Sequence, residues 1–190
     1  IKKGFDVSVC CKDTGKATEI IENGVFHFPL SIDRKSFSLI KFFRESLNII
    51  RIVKKAKPEI VHLISMRPIM IGLLSALFIN SKFCATFTGM GFLFIKKNLK
   101  IYFLRKIIII YLKIFLKFKN LFFIVQNKDD NIFFKRVFSL NKNQLRIIRG
   151  SGIDINYFKY SEEIAKKNIR LCYAGRIIED KGVLSLHSSI

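Results

Sequence analysis

The chain has 190 residues, half of them hydrophobic, and carries 34 Lys and Arg against 14 Asp and Glu, a formal net charge of +20. That apolar content excludes a disordered chain, and the length allows one full domain plus a piece of another. The charge calls for a negative partner or surface, whether nucleic acid, anionic lipid or a phosphorylated ligand, although genome bias towards Lys, Ile, Asn and Phe produces the same balance.

Cys10, Cys11, Cys84 and Cys172 sit in apolar runs and form no C-x-x-C pair. Reduced, buried thiols in a cytosolic protein are expected, and a zinc site is not. No signal-peptide pattern is visible. The most apolar segment, 101–118, is interrupted by Arg105, Lys106, Lys113 and Lys117. It lacks the ~20 apolar residues of a transmembrane helix.

In chain order, Lys2, Lys3 and Gly4 read as a helix end and its cap. Residues 5–11 read as a strand, 16–23 as a short helix closed by Gly24, and 25–30 as a second strand. Leu39, Phe42, Phe43, Leu47, Ile50 and Val53 recur at helical steps, which predicts an amphipathic helix over 36–57 that stops at Pro58. A strand at 59–64, an apolar helix at 68–80 and a strand at 82–88 follow, then Gly89-Met90-Gly91. A helix with a cationic side spans 99–118, a strand 121–126, a helix 129–138 and a last strand 145–149. This alternation predicts an α/β domain: a parallel sheet, helices on both faces, right-handed crossovers. The expected organisation is a domain over 1–150, a linker over 151–168 and the start of a second domain over 169–190.

The stretch 169–186 reads I-R-L-C-Y-A-G-R-I-I-E-D-K-G-V-L-S-L. An apolar run ends in Gly175-Arg176, and Lys181-Gly182 precedes an apolar segment that can open a helix. Two cations and a helix N-terminus can thus converge on one anionic group such as a diphosphate. The plain alternative is two surface charges beside a turn. Upstream lies R-I-I-R-G-S-G-I-D-I-N-Y-F, residues 146–158.

Together these segments resemble the interdomain junction of a family 4 glycosyltransferase of the GT-B fold. Gly152, Asp154 and Phe158 fit its hinge loop, and Gly175, Arg176, Lys181 and Gly182 fit its G-R-x-x-x-x-K-G motif. The resemblance implies the N-terminal, Rossmann-like half of a GT-B enzyme lacking its first strand, followed by the first strand and helix start of the nucleotide-sugar domain. It implies a retaining hexosyl transfer from a nucleotide-sugar, a UDP-sugar, to a lipid-linked or polysaccharide acceptor, without cofactor or metal. Arg176 and Lys181 would bind the donor diphosphate and stabilise the leaving nucleotide beside Gly175, with Gly152 and Asp154 as hinge. Both ends of the chain are expected to lie inside a longer protein, and this span alone is expected to be inactive.

On the acceptor side, His62 near the end of its strand, before Arg67-Pro68, resembles the family's strand that ends in His before a Lys-Pro helix start, with Arg67 in place of the lysine. Either His62 and Arg67 face an acceptor hydroxyl or diphosphate, or they are a core histidine and a helix-capping arginine. T-F-T-G-M-G-F, residues 86–92, resembles the T-G-L-G-Y loop of enzymes extending lipid-linked sugars, which implicates Thr88, Gly89 and Gly91. Relatives often carry His where Thr88 stands. Two glycines let backbone N–H groups approach a ligand, but the third glycine and later acid of a dinucleotide fingerprint are missing. V-Q-N-K-D-D, residues 125–130, resembles a family Gln-Asn-x-Asp-Asp signature, with Asn127 or Asp129 as N-cap.

The helix over 99–118 places Lys100, Arg105, Lys106, Lys113, Lys117 and Lys119 among Phe, Tyr, Leu and Ile. It is either a core helix with a basic solvent face or a contact for an anionic bilayer, where each basic residue contributes about 1 kcal/mol. The expected location is cytoplasmic, peripheral on the cytoplasmic face of the inner membrane. Two rivals stand beside the enzyme. A basic nucleic-acid-binding module would need exposed aromatics or a reader motif, and none is visible. The other rival is a non-catalytic remnant that associates with a membrane or a partner chain.

Overall fold

The computed structural model describes residues 4–33, 38–89, 98–117, 120–150, 152–160, 172–175, 177 and 182–188. The chain divides into two compact units, Ile1–Gly152 and Ile153–Ile190.

In the first unit, β1 (Ser8–Cys11) and β2 (Phe26–Pro29) pair in parallel around α1 (Ala17–Glu22), with Ser8 opposite Phe26 and Cys11 opposite Pro29. Then come α2 (Leu39–Ala56), β3 (Ile60–Ile64), α3 (Met66–Gly72), a 3-10 turn (Leu73–Leu77), β4 (Lys82–Phe87), α4 (Leu99–Leu116), β5 (Leu121–Val125), α5 (Lys128–Phe138) and β6 (Leu145–Ile147). Strands β3 to β6 form a four-stranded parallel sheet in sequence order. The expected α/β, Rossmann-like class is what the chain adopts. Among the described residues the strands form two parallel sheets, β1 with β2 and β3 to β6, rather than the single sheet expected.

Local chemistry sets the ends of these elements. Ser38 caps α2 by accepting from the Lys41 amide (3.4 Å), and Lys57 ends it in the left-handed region (φ 45°), one residue before Pro58. The expected apolar helix over 68–80 begins earlier and tightens halfway. Pro68 falls in the first turn of α3, where its missing N–H has no helical partner to lose. After Gly72 the chain passes to 3-10 geometry, and the Ser75 hydroxyl donates to the Gly72 carbonyl. A Cβ at Gly72 would lie 2.5 Å from Leu63 Cδ2, so glycine lets α3 lie close on β3.

The register sorts the sheet into two faces. Val61, Leu63, Phe83, Ala85, Phe87, Leu121, Phe123 and Val125 share one face, all of them buried. Phe87, Phe123, Phe134 and Phe138 interlock there, with ring centroids 4.7 Å apart for Phe87–Phe134 and 5.2 Å for Phe134–Phe138. Helix α4 adds Ile108, Leu112 and Phe115 to this core, and the Tyr111 hydroxyl donates to the Met70 carbonyl. The opposite face, expected to be helix-covered, leaves Ile60 and Ile64 exposed.

The cysteines depart from their expected burial. Cys84 is buried, which raises its thiol pKa to about 11, but Cys10 and Cys172 are exposed and Cys11 is half-buried. The two thiols at the end of β1 escape burial because that strand contributes no residue to the buried core.

In the second unit the Asp154 carboxylate accepts from the Asn156 amide (2.8 Å) and its carbonyl from the Phe158 amide (2.9 Å). Helix α6 (Val183–Ser188) starts at Gly182, whose φ is 74°. The expected strand from Ile169 lies partly outside the described residues. Its described part, Cys172 to Ala174, is exposed and is not in a strand.

Phe134 is fully buried among four other rings, so Phe134→Ala should cost about 3–5 kcal/mol of unfolding free energy, read from the urea midpoint at constant m.

Candidate functional site

Ligands of parallel α/β sheets bind beyond the carboxyl ends of the strands. In the first unit those ends present Ser65 after β3, Thr88 and Gly89 after β4, and Asn127 after β5, while His62 lies in the middle of β3 and Thr86 near the end of β4.

Parallel pairing sets His62 opposite Cys84 and Ile64 opposite Thr86, so His62 and Thr86 are diagonal neighbours on the open face. His62 Nε2 and Thr86 Oγ1 lie 2.7 Å apart, a hydrogen bond whose donor depends on the ring tautomer. Burial of the ring lowers the His62 pKa below its ordinary 6.5. The ring is therefore neutral at pH 7 and has donor and acceptor character rather than charge.

Arg67, from the first turn of α3, is held by a different partner. Its Nε and Nη2 donate to Glu45 Oε2 at 3.2 and 2.8 Å, and its guanidinium lies 5.6 Å from the centre of the Phe42 ring. Glu45 is buried on α2, and its other oxygen accepts from the Asp33 amide at 3.1 Å. The structure thus joins Arg67 to the α2–α3 contact rather than to His62.

Ser65 was not singled out by its sequence. It has φ 72° and ψ 160°, a conformation that costs a non-glycine residue about 1–3 kcal/mol. Its amide donates to the Thr86 carbonyl (2.9 Å) and its carbonyl accepts from Ile69, which fix the turn from β3 into α3. No sequence signal marks a serine for this geometry.

Gly89 follows with φ 141°, and no atom lies within 4 Å of where a Cβ would project. Gly91 lies outside the described residues. Asn127 is the N-cap of α5: its Oδ1 accepts from the Asp130 amide (2.7 Å) and its Nδ2 donates to Asp130 Oδ2 (2.8 Å). Of the two capping residues the sequence left open, Asn127 takes the role.

In the second unit Gly175 lies against its neighbour Tyr173, with 3.1 Å from a Cβ position to the Tyr173 hydroxyl oxygen. Arg176 and Lys181 lie outside the described residues. Gly152, with φ 72°, closes the first unit, and Asp154 lies in the second.

The first unit is a Rossmann-like α/β domain, a fold whose ligands bind beyond the carboxyl ends of its strands. The sequence pattern of the glycosyl transferase 4-like family matches residues 1–127, and the chain belongs to that family, whose enzymes have the GT-B fold. A curated relative from Escherichia coli, the UDP-Gal:alpha-D-GlcNAc-diphosphoundecaprenol alpha-1,3-galactosyltransferase, is 26% identical over 155 residues, 81% of this chain and 38% of its own length. The crystal structure of a glycosyltransferase from Rickettsia africae ESF-5 superposes with a TM-score of 0.54 at 16% identity, covering 83% of this chain and 38% of that one. The second similarity is one of fold. The chain spans 38% of the length of each.

Removing the Arg67 side chain should strand the buried Glu45 carboxylate, so Arg67→Met should destabilise by about 3 kcal/mol. The Arg67→Met/Glu45→Gln double variant should recover most of that loss in a denaturation cycle.

His62 should titrate below 6.5 by NMR. The unfolded ring takes up its proton first, so His62 contributes stability that is present above about pH 6.5 and falls away as the pH drops below it.

Proposed function

We propose that the whole protein transfers a hexose from a UDP-sugar to a lipid-linked or polysaccharide acceptor, with retention of configuration. The observation that carries this is the family match over residues 1–127. The curated relative supports it, since its name specifies a UDP-Gal donor and a diphosphoundecaprenol-linked acceptor. The bond from the anomeric carbon to the nucleotide diphosphate breaks, a bond to an acceptor hydroxyl forms, and that hydroxyl gives up its proton.

The diphosphate leaves with negative charge, and Arg176 and Lys181 are the residues we assign to meet it, with Gly175 giving close approach. On the acceptor side His62 offers a neutral, hydrogen-bonding ring, already oriented by Thr86. We assign Thr88, Gly89 and Gly91 to the acceptor side as well, and Arg67 contributes by holding α3 through Glu45. Gly152 and Asp154 act as the hinge. The reaction takes place on the cytoplasmic face of the membrane that holds the acceptor lipid, and the 190-residue span alone is inactive.

The test is transfer from labelled UDP-galactose and other UDP-sugars to a diphospholipid-linked acceptor by the whole protein. Arg176→Ala and Lys181→Ala should each lower kcat by about 10²–10³ with folding unchanged. Full activity in the double variant would overturn the assignment.

A further inference from the structure

Helix α4 has two apolar sides, and only one of them belongs to the core. Ile108, Leu112 and Phe115 are buried. On the opposite side Leu99, Phe103, Ile107, Ile110 and Ile114 are exposed, from 51% at Ile114 to 77% at Leu99. At 100° per residue these five fall within an arc of about 80°. They form one continuous stripe along the helix.

Cations flank the stripe. Lys106, Lys113 and Lys117 lie along one margin and Lys100 along the other, all exposed. The Lys106 ammonium sits 4.7 Å from the centre of the Tyr102 ring, which is itself half-exposed at that margin. The helix contains no acidic residue, and none occurs anywhere between Glu59 and Asp129. An ordinary solvated helix face mixes both signs, and a protein–protein interface is depleted of lysine. Long lysine stems reaching out from the edges of an Ile and Phe stripe are instead the arrangement of a helix lying in the plane of a bilayer surface. Among the described residues no helix is long and apolar enough to cross a membrane.

We infer that this face of α4 docks on an anionic lipid bilayer, with Phe103, Ile107 and Ile110 entering the acyl boundary and Lys100, Lys106, Lys113 and Lys117 meeting the headgroup phosphates. The inference deepens the function proposed above by assigning the contact with the acceptor's membrane to particular side chains, and its physical grounds are independent of that function. Apolar insertion and charge attraction act together, so binding depends on both lipid charge and ionic strength.

The experiment is co-sedimentation of the 190-residue chain with vesicles of phosphatidylglycerol and of phosphatidylcholine, free of acceptor lipid and nucleotide, at low and high salt. Binding should be confined to phosphatidylglycerol and fall with salt. Lys106→Glu/Lys113→Glu should weaken it at least about tenfold. Phe103→Ser/Ile107→Ser/Ile110→Ser should weaken it comparably, and should leave the circular dichroism and melting temperature unchanged because the three side chains lie outside the core. Lys135→Glu/Lys142→Glu carries the same charge change on exposed positions elsewhere and should bind nearly as the wild type does.

Equal binding to both lipids, or equal loss in the control variant, would overturn the inference. So would a wild-type oligomer in sedimentation velocity that the triple-serine variant dissociates, since the stripe would then be a contact between copies. Sugar transfer by the whole protein to a detergent-dispersed acceptor separates the two proposals. Transfer without vesicle binding would sink the docking face alone, and vesicle binding without transfer would sink the transferase alone.

Discussion

The register of β4 between β3 and β5 is the constraint on which the first unit depends. Parallel pairing of Val61 with Phe83 and of Phe83 with Leu121 puts the large side chains on one face. The same pairing sends His62 and Thr86 to the other. A slip of one residue would exchange the two sets, taking His62 into the phenylalanine cluster and Leu63 into water. Burying four interlocked rings on one side and hydrogen-bonding an imidazole on the other are thus one geometric decision. It is enforced by hydrophobic burial and used by the polar groups.

Polar residues at the strand ends divide into two kinds of work. Arg67, Glu45 and the Asp33 amide form a small buried network that ties α2 to α3. Asn127 and Asp130 close the start of α5 upon themselves. His62 and Thr86 are different, because buried Thr86 holds the ring of His62, which is itself exposed on the other sheet face. The strained Ser65 turn lies between the two groups and carries the chain from one to the other.

Most elements of the first unit were legible in the sequence because their signals are local. Ser38, Pro58 and Asn127 mark helix limits through hydrogen bonds or ring geometry within a few residues. The change to 3-10 geometry after Gly72 was not legible, because it depends on how Leu63 meets the helix across the sheet. The partner of Arg67 was hidden for the same reason, since Glu45 is distant in sequence. For α4 the obstacle was chemical: Ile and Leu line both the buried and the exposed side, so periodicity could not tell the face that meets the core from the face that does not. Of the stretch Gly175 to Gly182, which carries the family resemblance, Arg176 and Lys181 lie outside the described residues.

Gly72 shows how little separates the sheet from the residues above it. A single added methyl would lie 2.5 Å from a Leu63 methyl, so in a close-packed core either that side chain leaves its rotamer or α3 shifts. A shift of α3 would carry Arg67 and the Ser65 turn with it. The smallest side chain in the unit therefore works as a spacer gauge. It sets the height at which the neighbouring guanidinium meets its carboxylate, from the far end of the helix.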